Sequence, residues 1–272
     1  MQPATAAPPV PHPDPMPPGR LATWLFLASE VMFFVGLLGV YVIFRSTPAN
    51  AELFAAHRGS FDATVAGVNT AVLLLSSVAM AVAVDAAWKG RRARAVGGLL
   101  AVLLLGGAFL AIKGYEYAAK LTRYTIVATA PPTGTRYAYD GRADRIVRAG
   151  DADVTLVGHR APVGTGFDVH AVAQTDVARL AEGGAEPRGY TIPLAGATWT
   201  SYGPWKNVVF ASYFALTGAH VAHVLGGLVA VLVLLTRAAR GRLKGPAAEY
   251  VALYWYFVDG VWVVLFPMLY LM

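Results

Sequence analysis

The chain has 272 residues, of which 56% are hydrophobic and only 14% carry a charge, a composition that excludes a soluble globular domain of this size. Its 22 basic and 16 acidic residues give a formal net charge of +6, but the basic residues crowd short loops between apolar runs, which indicates membrane topology and no nucleic-acid partner. There is no cysteine, so disulfides, thiolate metal ligands and thiol catalysis are excluded.

The N-terminal segment and the apolar runs define the organisation of the chain. Residues 1–19 are rich in proline and alanine and are predicted to form a disordered cytoplasmic tail. A bilayer core of roughly 30 Å needs about 20 apolar residues per helix. Because the first run is longer than the apolar region of a signal peptide and no small-residue cleavage site follows it, we expect it to remain in the mature protein. Five runs are long enough and are predicted to span the membrane: 21–44, 64–87, 95–118, 206–236 and 250–271.

Two short basic loops predict the orientation of these helices. Positive loops are retained in the cytoplasm, which places the N-terminus inside and the C-terminus and the 119–205 segment outside. The basic residues of the two loops are Lys89, Arg91, Arg92, Arg94, Arg237, Arg240, Arg242 and Lys244.

The segment 119–205 differs from the rest of the chain. It is polar and contains turn signals such as Asp140-Gly141, while short β-branched stretches at 153–157 and 190–192 favour strands. The predicted fold class is therefore an all-α membrane protein. Its five-transmembrane-helix bundle, at 20–118 and 206–272, carries a small, mostly β extracytoplasmic insertion between helices 3 and 4.

Three acidic residues lie inside the predicted helices, away from the basic loops. Glu30 is roughly 14 Å along its helix from Leu21, near the bilayer centre, where a carboxylate costs several kcal/mol unless it is protonated or partnered. Asp259 lies near the centre of the fifth helix. Glu116 shares a helix face with Lys113 at i, i+3, which predicts an interfacial pair. For Glu30 and Asp259 two interpretations stay open: a proton-exchanging or lipid-contacting group, or a structural carboxyl bonded to a neighbouring helix.

Two histidines stand three residues apart in the fourth helix, so His220 and His223 could in principle share a metal ion. A metal site needs further ligands, and heme ligation needs histidines on facing helices. We therefore predict that the chain binds no heme, copper or other metal. The remaining histidines fall in the tail and the outer loops: His12, His57, His159 and His170.

Small residues recur at four-residue spacing along the fourth helix. Such a stripe allows the backbone of a neighbouring helix to approach closely, so it is predicted to be a helix-packing face. The stripe consists of Gly218, Ala222, Gly226 and Ala230.

Short stretches in all five predicted helices together resemble cytochrome c oxidase subunit III. Ser29–Phe34 is similar to the SEVxFF signature of that family, and Thr217–Gly227 is similar to its TGxHxxHVxxG pattern. Tyr254–Trp262 resembles YWHFVDxVW. Asn69–Ser77 and Lys113–Tyr117 resemble the helices that lie between these motifs.

The resemblance implies the five-helix bacterial form of the subunit, in the cytoplasmic (inner) membrane. Such a subunit has no catalytic residue of its own. It packs against oxidase subunit I, which carries the hemes and copper, beside subunit II. It binds phospholipid, sustains proton uptake and protects the catalytic subunit from inactivation during turnover. Glu30 matches the family's buried, carbodiimide-reactive carboxyl. The resemblance gives a proton-linked, lipid-linked or structural role to Glu30, Glu116, His220, His223 and Asp259.

Two departures from the family pattern affect what is expected. Tyr256 stands where the family has histidine, which removes a titratable group beside Asp259. The 119–205 segment replaces a short connection and is expected to have its own function, as a docking surface for a donor cytochrome or another respiratory complex.

Other functions remain as alternatives to a cytochrome c oxidase. Subunit III of a quinol oxidase and the accessory subunit of a nitric oxide reductase share the five-helix form. A membrane transporter is disfavoured because the sequence shows no inverted repeat of broken helices around a polar midplane site.

Overall fold

The computed structural model describes residues 17–121, 123–130, 135–142, 145–149, 153–157, 189–193 and 195–271. The predicted disordered tail, 1–19, lies outside the described residues except for its last three. Those last three residues lead into and begin the first helix.

Five long apolar helices form a bundle, as the sequence predicts. Each is long and apolar enough to cross a membrane. One short helix in the connection between the first two spans was not anticipated from the sequence. The helices are α1 Pro18–Ser46, α2 Ala51–His57, α3 Ala63–Trp88, α4 Arg92–Leu121, α5 Val208–Ala239 and α6 Gly245–Phe266, which continues into a π-helical turn Pro267–Leu271.

Side-chain caps and glycines set the ends of the helices. The Asp62 carboxylate accepts from the backbone N–H groups that open α3, at 2.9 and 3.1 Å. The Asn207 side-chain oxygen does the same for α5, at 3.0 and 3.2 Å. Gly90 and Gly241, with φ of 65° and 67°, follow α3 and α5 in the left-handed conformation that terminates helices. Each of the two basic turns therefore begins at a glycine that ends the preceding helix.

The core of the bundle lies along α6, which packs against α1, α3 and α5, while α4 packs against α3 and α5. Trp255 and Trp262 of α6 are fully buried. Helix α1 lies at the periphery and exposes large apolar side chains such as Met32, which is 76% exposed. Its outer face is thus available to lipid or to another chain.

The described residues between α4 and α5 include six strands. They form two antiparallel three-stranded sheets, ordered β2-β1-β6 and β3-β4-β5. Both stretches expected to be extended, 153–157 and 190–192, fall in strands. A separate extracytoplasmic, mostly β domain stays a prediction, because residues 158–188 lie outside the described part. The strands are β1 Arg123–Ala130, β2 Thr135–Arg142, β3 Arg145–Ala149, β4 Asp153–Val157, β5 Gly189–Pro193 and β6 Ala195–Ser201.

The close approach of α3 and α4 at Gly98 yields a stability prediction. A Cβ added at Gly98 would lie 2.9 Å from the Cβ of Ala83 and 3.0 Å from the carbonyl oxygen of Ala79, whereas one at Gly97 would meet nothing within 4 Å. We expect Gly98→Val to lower the free energy of unfolding by about 1–3 kcal/mol more than Gly97→Val, because only the first overpacks a helix contact. Thermal unfolding in detergent measures the difference, and equal stability of the two variants would contradict this packing.

Candidate functional site

A buried carboxylate, Glu116, lies between two lysines of its own helix. Its Oε2 accepts from Lys113 Nζ at 2.8 Å and its Oε1 from Lys120 Nζ at 3.1 Å. The hydroxyls of Tyr213 and Tyr270 donate to Oε1 at 2.7 and 2.9 Å. The side chains of Lys113, Glu116 and Lys120 are only 2%, 12% and 9% exposed. The predicted i, i+3 pair is formed and lies among the helices of the bundle, while its position at the membrane interface stays a prediction.

The ammonium group of Lys113 also faces aromatic rings. Lys113 Nζ lies 5.0 Å from the ring centroid of Trp262 and 5.1 to 5.6 Å from those of Tyr213, Tyr270 and Tyr117. Ring faces attract cations, most strongly where water is excluded. These rings therefore stabilise the Lys113 ammonium group in addition to the Glu116 carboxylate.

Lys120 connects the same group to the segment before α3. Its Nζ donates to the Ser60 carbonyl oxygen at 3.2 Å and lies 5.0 Å from the ring centroid of Phe61. Helices α4 and α5, the π-helical turn after α6 and the α2–α3 connection thus meet around Glu116. We call the group of Glu116, Lys113, Lys120, Tyr213 and Tyr270 the Glu116 cluster.

Glu30 of α1 contacts His223 of α5, with 2.8 Å between Oε2 and Nε2. The two side chains are 20% and 19% exposed. His223 Nδ1 lies 2.7 Å from the Ala219 carbonyl oxygen, which only accepts, so Nδ1 carries a hydrogen.

That assignment fixes the proton content of the contact. The short Glu30–His223 distance then holds one proton, either on the carboxylic acid that donates to a neutral ring or on an imidazolium that donates to a carboxylate. Both forms are neutral overall. The pair can therefore hold a proton at membrane depth without leaving an uncompensated charge.

Asp259 of α6 makes a separate contact with α3. Its Oδ2 accepts from the Ser77 hydroxyl, while its Oδ1 is buried with no hydrogen-bond partner among the described residues. Asp259 is 4% exposed, whereas Tyr256, one turn earlier on the same helix, is 38% exposed. Asp259 thus joins two helices at membrane depth.

Two tryptophans add further polar contacts between α6 and α3. Trp255 Nε1 donates to Ser76 Oγ at 3.0 Å, and Trp262 Nε1 donates to Thr70 Oγ1 at 2.9 Å. Buried indole N–H groups require such acceptors. Together with Asp259, they give this interface a line of three polar contacts.

The two histidines of α5 point to different environments and do not share a site. His220 is fully buried, its ring stacked on Trp262 at 5.0 Å and edge-on to Phe109 at 5.6 Å. Neither of its ring nitrogens has a hydrogen-bond partner among the described residues. Within the described part of the chain, no three histidine, aspartate or glutamate side chains converge as metal ligands.

Close packing on α5 occurs beside the predicted stripe of small residues. A Cβ at Gly227 would lie 2.9 Å from the Trp255 ring, whereas Gly218 has open space and Gly226 meets only the Tyr254 hydroxyl at 3.6 Å. Ala222 is exposed and Ala230 is half-buried. Within the described residues, the stripe therefore makes no close helix contact like that of Gly227, and its role in packing stays a prediction.

The structure also brings in residues that the sequence did not single out. Lys120, Tyr270 and Ser77 each contact a predicted site residue. The spacing of 113, 116 and 120 places all three on one helix face, so Lys120 could have been found from periodicity. No local signal identifies Tyr270 or Ser77, because their contacts join distant parts of the chain.

Comparisons with known proteins match the N-terminal part of the chain and, at lower identity, most of its length. The family model for cytochrome c oxidase subunit III matches residues 18–130. Over 68 residues the chain is 41% identical to cytochrome c oxidase subunit 3 of Corynebacterium diphtheriae, covering 24% of this chain and 33% of that protein. Over 259 residues it is 20% identical to cytochrome bo(3) ubiquinol oxidase subunit 3 of Pseudomonas putida, covering 93% of this chain and 84% of that protein.

A third relative is a larger chain. The heme-copper oxidase subunit I+III of Aeropyrum pernix is 32% identical over 117 residues, which cover 34% of this chain and 14% of that protein. The chain therefore spans a third of the Corynebacterium relative and a seventh of the Aeropyrum relative, but most of the Pseudomonas one.

The Glu116 cluster yields a prediction about the stability of the Glu116→Gln variant. Glu116→Gln leaves two buried ammonium groups without their carboxylate, so we expect it to lower the free energy of unfolding by about 3–5 kcal/mol. The control is Asp85→Asn, which breaks the exposed Asp85–Lys89 pair of 2.6 Å and is expected to lower stability far less, because water and salt screen an exposed pair. Denaturation in detergent compares the two variants, and similar small losses in both would mean that the cluster contributes little.

Proposed function

The chain belongs to the cytochrome c oxidase subunit III family, and we propose that it is the accessory, non-redox subunit of a proton-pumping cytochrome c oxidase. One observation carries this proposal. Polar side chains of different described helices contact one another inside the bundle, as in the Glu116 cluster and the Glu30–His223 pair. Such an arrangement suits a subunit that supports a neighbour's chemistry.

The partners follow from the family and from the exposed face of α1. We propose that the chain packs against subunit I, which carries the hemes and copper, beside subunit II. The name of the Aeropyrum relative joins subunits I and III in one polypeptide, which supports direct contact between them. A peripheral helix with exposed apolar residues such as Met32 gives a surface for that contact.

Within this role, the Glu30–His223 pair is proposed to support proton uptake by the catalytic subunit. Its geometry allows one proton to be shared between the two side chains, and the pair joins the peripheral α1 to α5. Glu116, His220 and Asp259 are proposed to be structural or lipid-linked, since their contacts join helices inside the bundle. Bound phospholipid is part of the same proposal.

The orientation is proposed from the basic turns, which favour the cytoplasmic side. The N-terminus then lies inside a bacterial cytoplasmic membrane, and the C-terminus and residues 119–205 lie outside. There, residues 119–205 are proposed to dock a donor cytochrome or another respiratory complex.

A quinol oxidase is the second candidate, because the Pseudomonas relatives named as ubiquinol oxidase subunits match over 93% and 92% of the chain. The donor is bound by other subunits. A copper-binding donor subunit that purifies with this chain would favour cytochrome c, and its absence from an intact complex would favour quinol.

The oxidase assignment predicts what purifies with the chain. A tagged chain extracted in mild detergent should bring down a catalytic chain with stoichiometric heme and copper, whereas the chain separated from that complex should show no heme band and no bound copper. Metal analysis and optical spectra of both samples measure this. A reproducible heme on the isolated chain would contradict the accessory role.

Glu30 has its own predicted phenotype. A hydrophobic carbodiimide should label Glu30 in preference to exposed acids, because the reagent attacks a neutral carboxylic acid in an apolar setting. Glu30→Gln should abolish the label, while Glu52→Gln, at an exposed position of α2, should leave it unchanged.

In turnover assays the assembled Glu30→Gln oxidase should begin with near-normal oxygen reduction and then lose pumping or inactivate sooner than the wild-type complex. Simultaneous recording of oxygen consumption and proton release follows this decay. An immediate, near-total loss of activity in an assembled complex would make Glu30 a direct catalytic participant, contrary to the proposal.

A further inference from the structure

A small cavity lies at the end of the bundle where α1 ends, α5 begins and the turn after α6 packs against them. Its volume is ≈ 20 Å³, whereas one water molecule needs roughly 10–15 Å³. The cavity therefore has room for a single species close to water in size. We call it the Arg45–Arg58 cavity, and the lining residues that decide its chemistry are Tyr41, Arg45, Arg58, Phe61, Tyr213 and Tyr270.

Two arginines approach the cavity from different elements. Arg45 belongs to the last turn of α1, and its Nη1 donates to the Tyr41 hydroxyl at 3.2 Å. That hydroxyl donates in turn to the Met268 carbonyl oxygen at 2.8 Å, so Arg45 is held against the turn after α6. Arg58 belongs to the turn that follows α2 and is exposed, so an ion can reach the cavity from water on that side.

The charges that line the cavity have one sign. Two of its described lining residues are cationic and none is an aspartate or a glutamate. Among the described residues, Arg58 forms no ion pair. The acids of the same connection, Glu52 and Asp62, do not line the cavity, and the Asp62 carboxylate caps α3. A lining of one sign between low-dielectric walls raises the local concentration of the opposite ion.

The rings of the lining lie next to further cations. Lys113 Nζ and Lys120 Nζ lie 5.1 and 5.0 Å from the ring centroid of Tyr213, whose other contacts include the cavity. Glu116 accepts from both ammonium groups but does not line the cavity. The cavity thus adjoins the Glu116 cluster without sharing its carboxylate.

The size of the cavity and the chemistry of its donors select the ligand. Guanidinium groups are weakly hydrated and present several N–H donors in a planar fork, so they bind anions readily. Phosphate and carboxylate groups bring several oxygens and need more room than a single water occupies. Water itself fits the volume but offsets no charge. A monoatomic halide is close to water in size and carries the negative charge that the lining does not supply.

We propose that the Arg45–Arg58 cavity binds a halide ion, chloride under ordinary conditions, between its two guanidinium groups. Because one arginine comes from α1 and the other from the turn after α2, the bound ion joins these two elements. It therefore stabilises the end of the bundle that also contains the Glu116 cluster. The inference concerns this chain alone and does not depend on the oxidase role.

The first test measures how halides change the stability of the whole chain in detergent. Sodium chloride or bromide is titrated while sodium gluconate keeps the ionic strength constant, and the thermal unfolding midpoint is recorded. An ion that binds the folded chain raises this midpoint with concentration. We expect a rise with chloride and with bromide and none with gluconate, which is too large for the cavity. A midpoint that follows ionic strength alone, whichever anion is present, would overturn the proposal.

Substitutions at Arg58 test the site itself. Arg58→Gln removes a charged donor at an exposed position, so the chloride concentration needed for a given rise should increase about tenfold or more. Arg58→Lys keeps the charge and should change that concentration less than about threefold. The matched control is Arg91→Gln, which removes an exposed arginine from the α3–α4 turn and should leave the chloride response unchanged. Equal changes in Arg58→Gln and Arg91→Gln would overturn the proposal, because general surface charge would then explain the response.

Bromide also locates the ion, because it scatters X-rays anomalously. In crystals of the chain, or of the complex that contains it, the anomalous peak should lie between the Arg45 and Arg58 guanidinium groups and should disappear in Arg58→Gln. A wild-type cavity without a peak would overturn the site. Inorganic phosphate at the same ionic strength should leave the bromide peak in place. Displacement of bromide by phosphate would overturn the halide assignment in favour of a larger anion.

Discussion

Polar side chains at membrane depth must find their partners inside the protein, and the Glu116 cluster is where this constraint is strongest. One carboxylate accepts from Lys113, Lys120, Tyr213 and Tyr270, which come from α4, α5 and the turn after α6. Removing any one of these elements would leave a buried charge or hydroxyl unpaired, at a cost of several kcal/mol. The end of the bundle is therefore specified by charge as well as by shape.

The same constraint specifies the other helix contacts. Because lipid is as apolar as leucine, burial of apolar surface gives little preference among helix arrangements. Polar contacts and close packing therefore determine which helices are neighbours. Glu30 and His223 join α1 to α5, and Asp259 and Ser77 join α6 to α3. Of these contacts, the Glu30–His223 pair lies at the most exposed helix, and it is the pair proposed to support proton uptake.

The sequence alone predicts the membrane spans and one of the polar contacts. Five apolar runs predicted the spans, and the i, i+3 spacing of Lys113 and Glu116 predicted their pairing, because both signals are local. The Glu30–His223 contact joins residues 193 apart in sequence, so it depends on which helices are neighbours. The sequence also does not show which face of α5 packs against α6, because α5 is apolar on nearly every side. The four-residue spacing favoured Gly226 as the packing position, whereas the close approach to α6 is at Gly227.

The central claim is that Lys113 and Glu116 stabilise the bundle as a pair and not as two independent side chains. A double-mutant cycle with Lys113→Met, Glu116→Gln and the combined variant, measured by unfolding in detergent, tests it most directly. The claim predicts that the combined variant loses less stability than the two single losses added together, with a coupling energy of about 1–3 kcal/mol. Additive losses would contradict it, because each side chain would then act independently of the other.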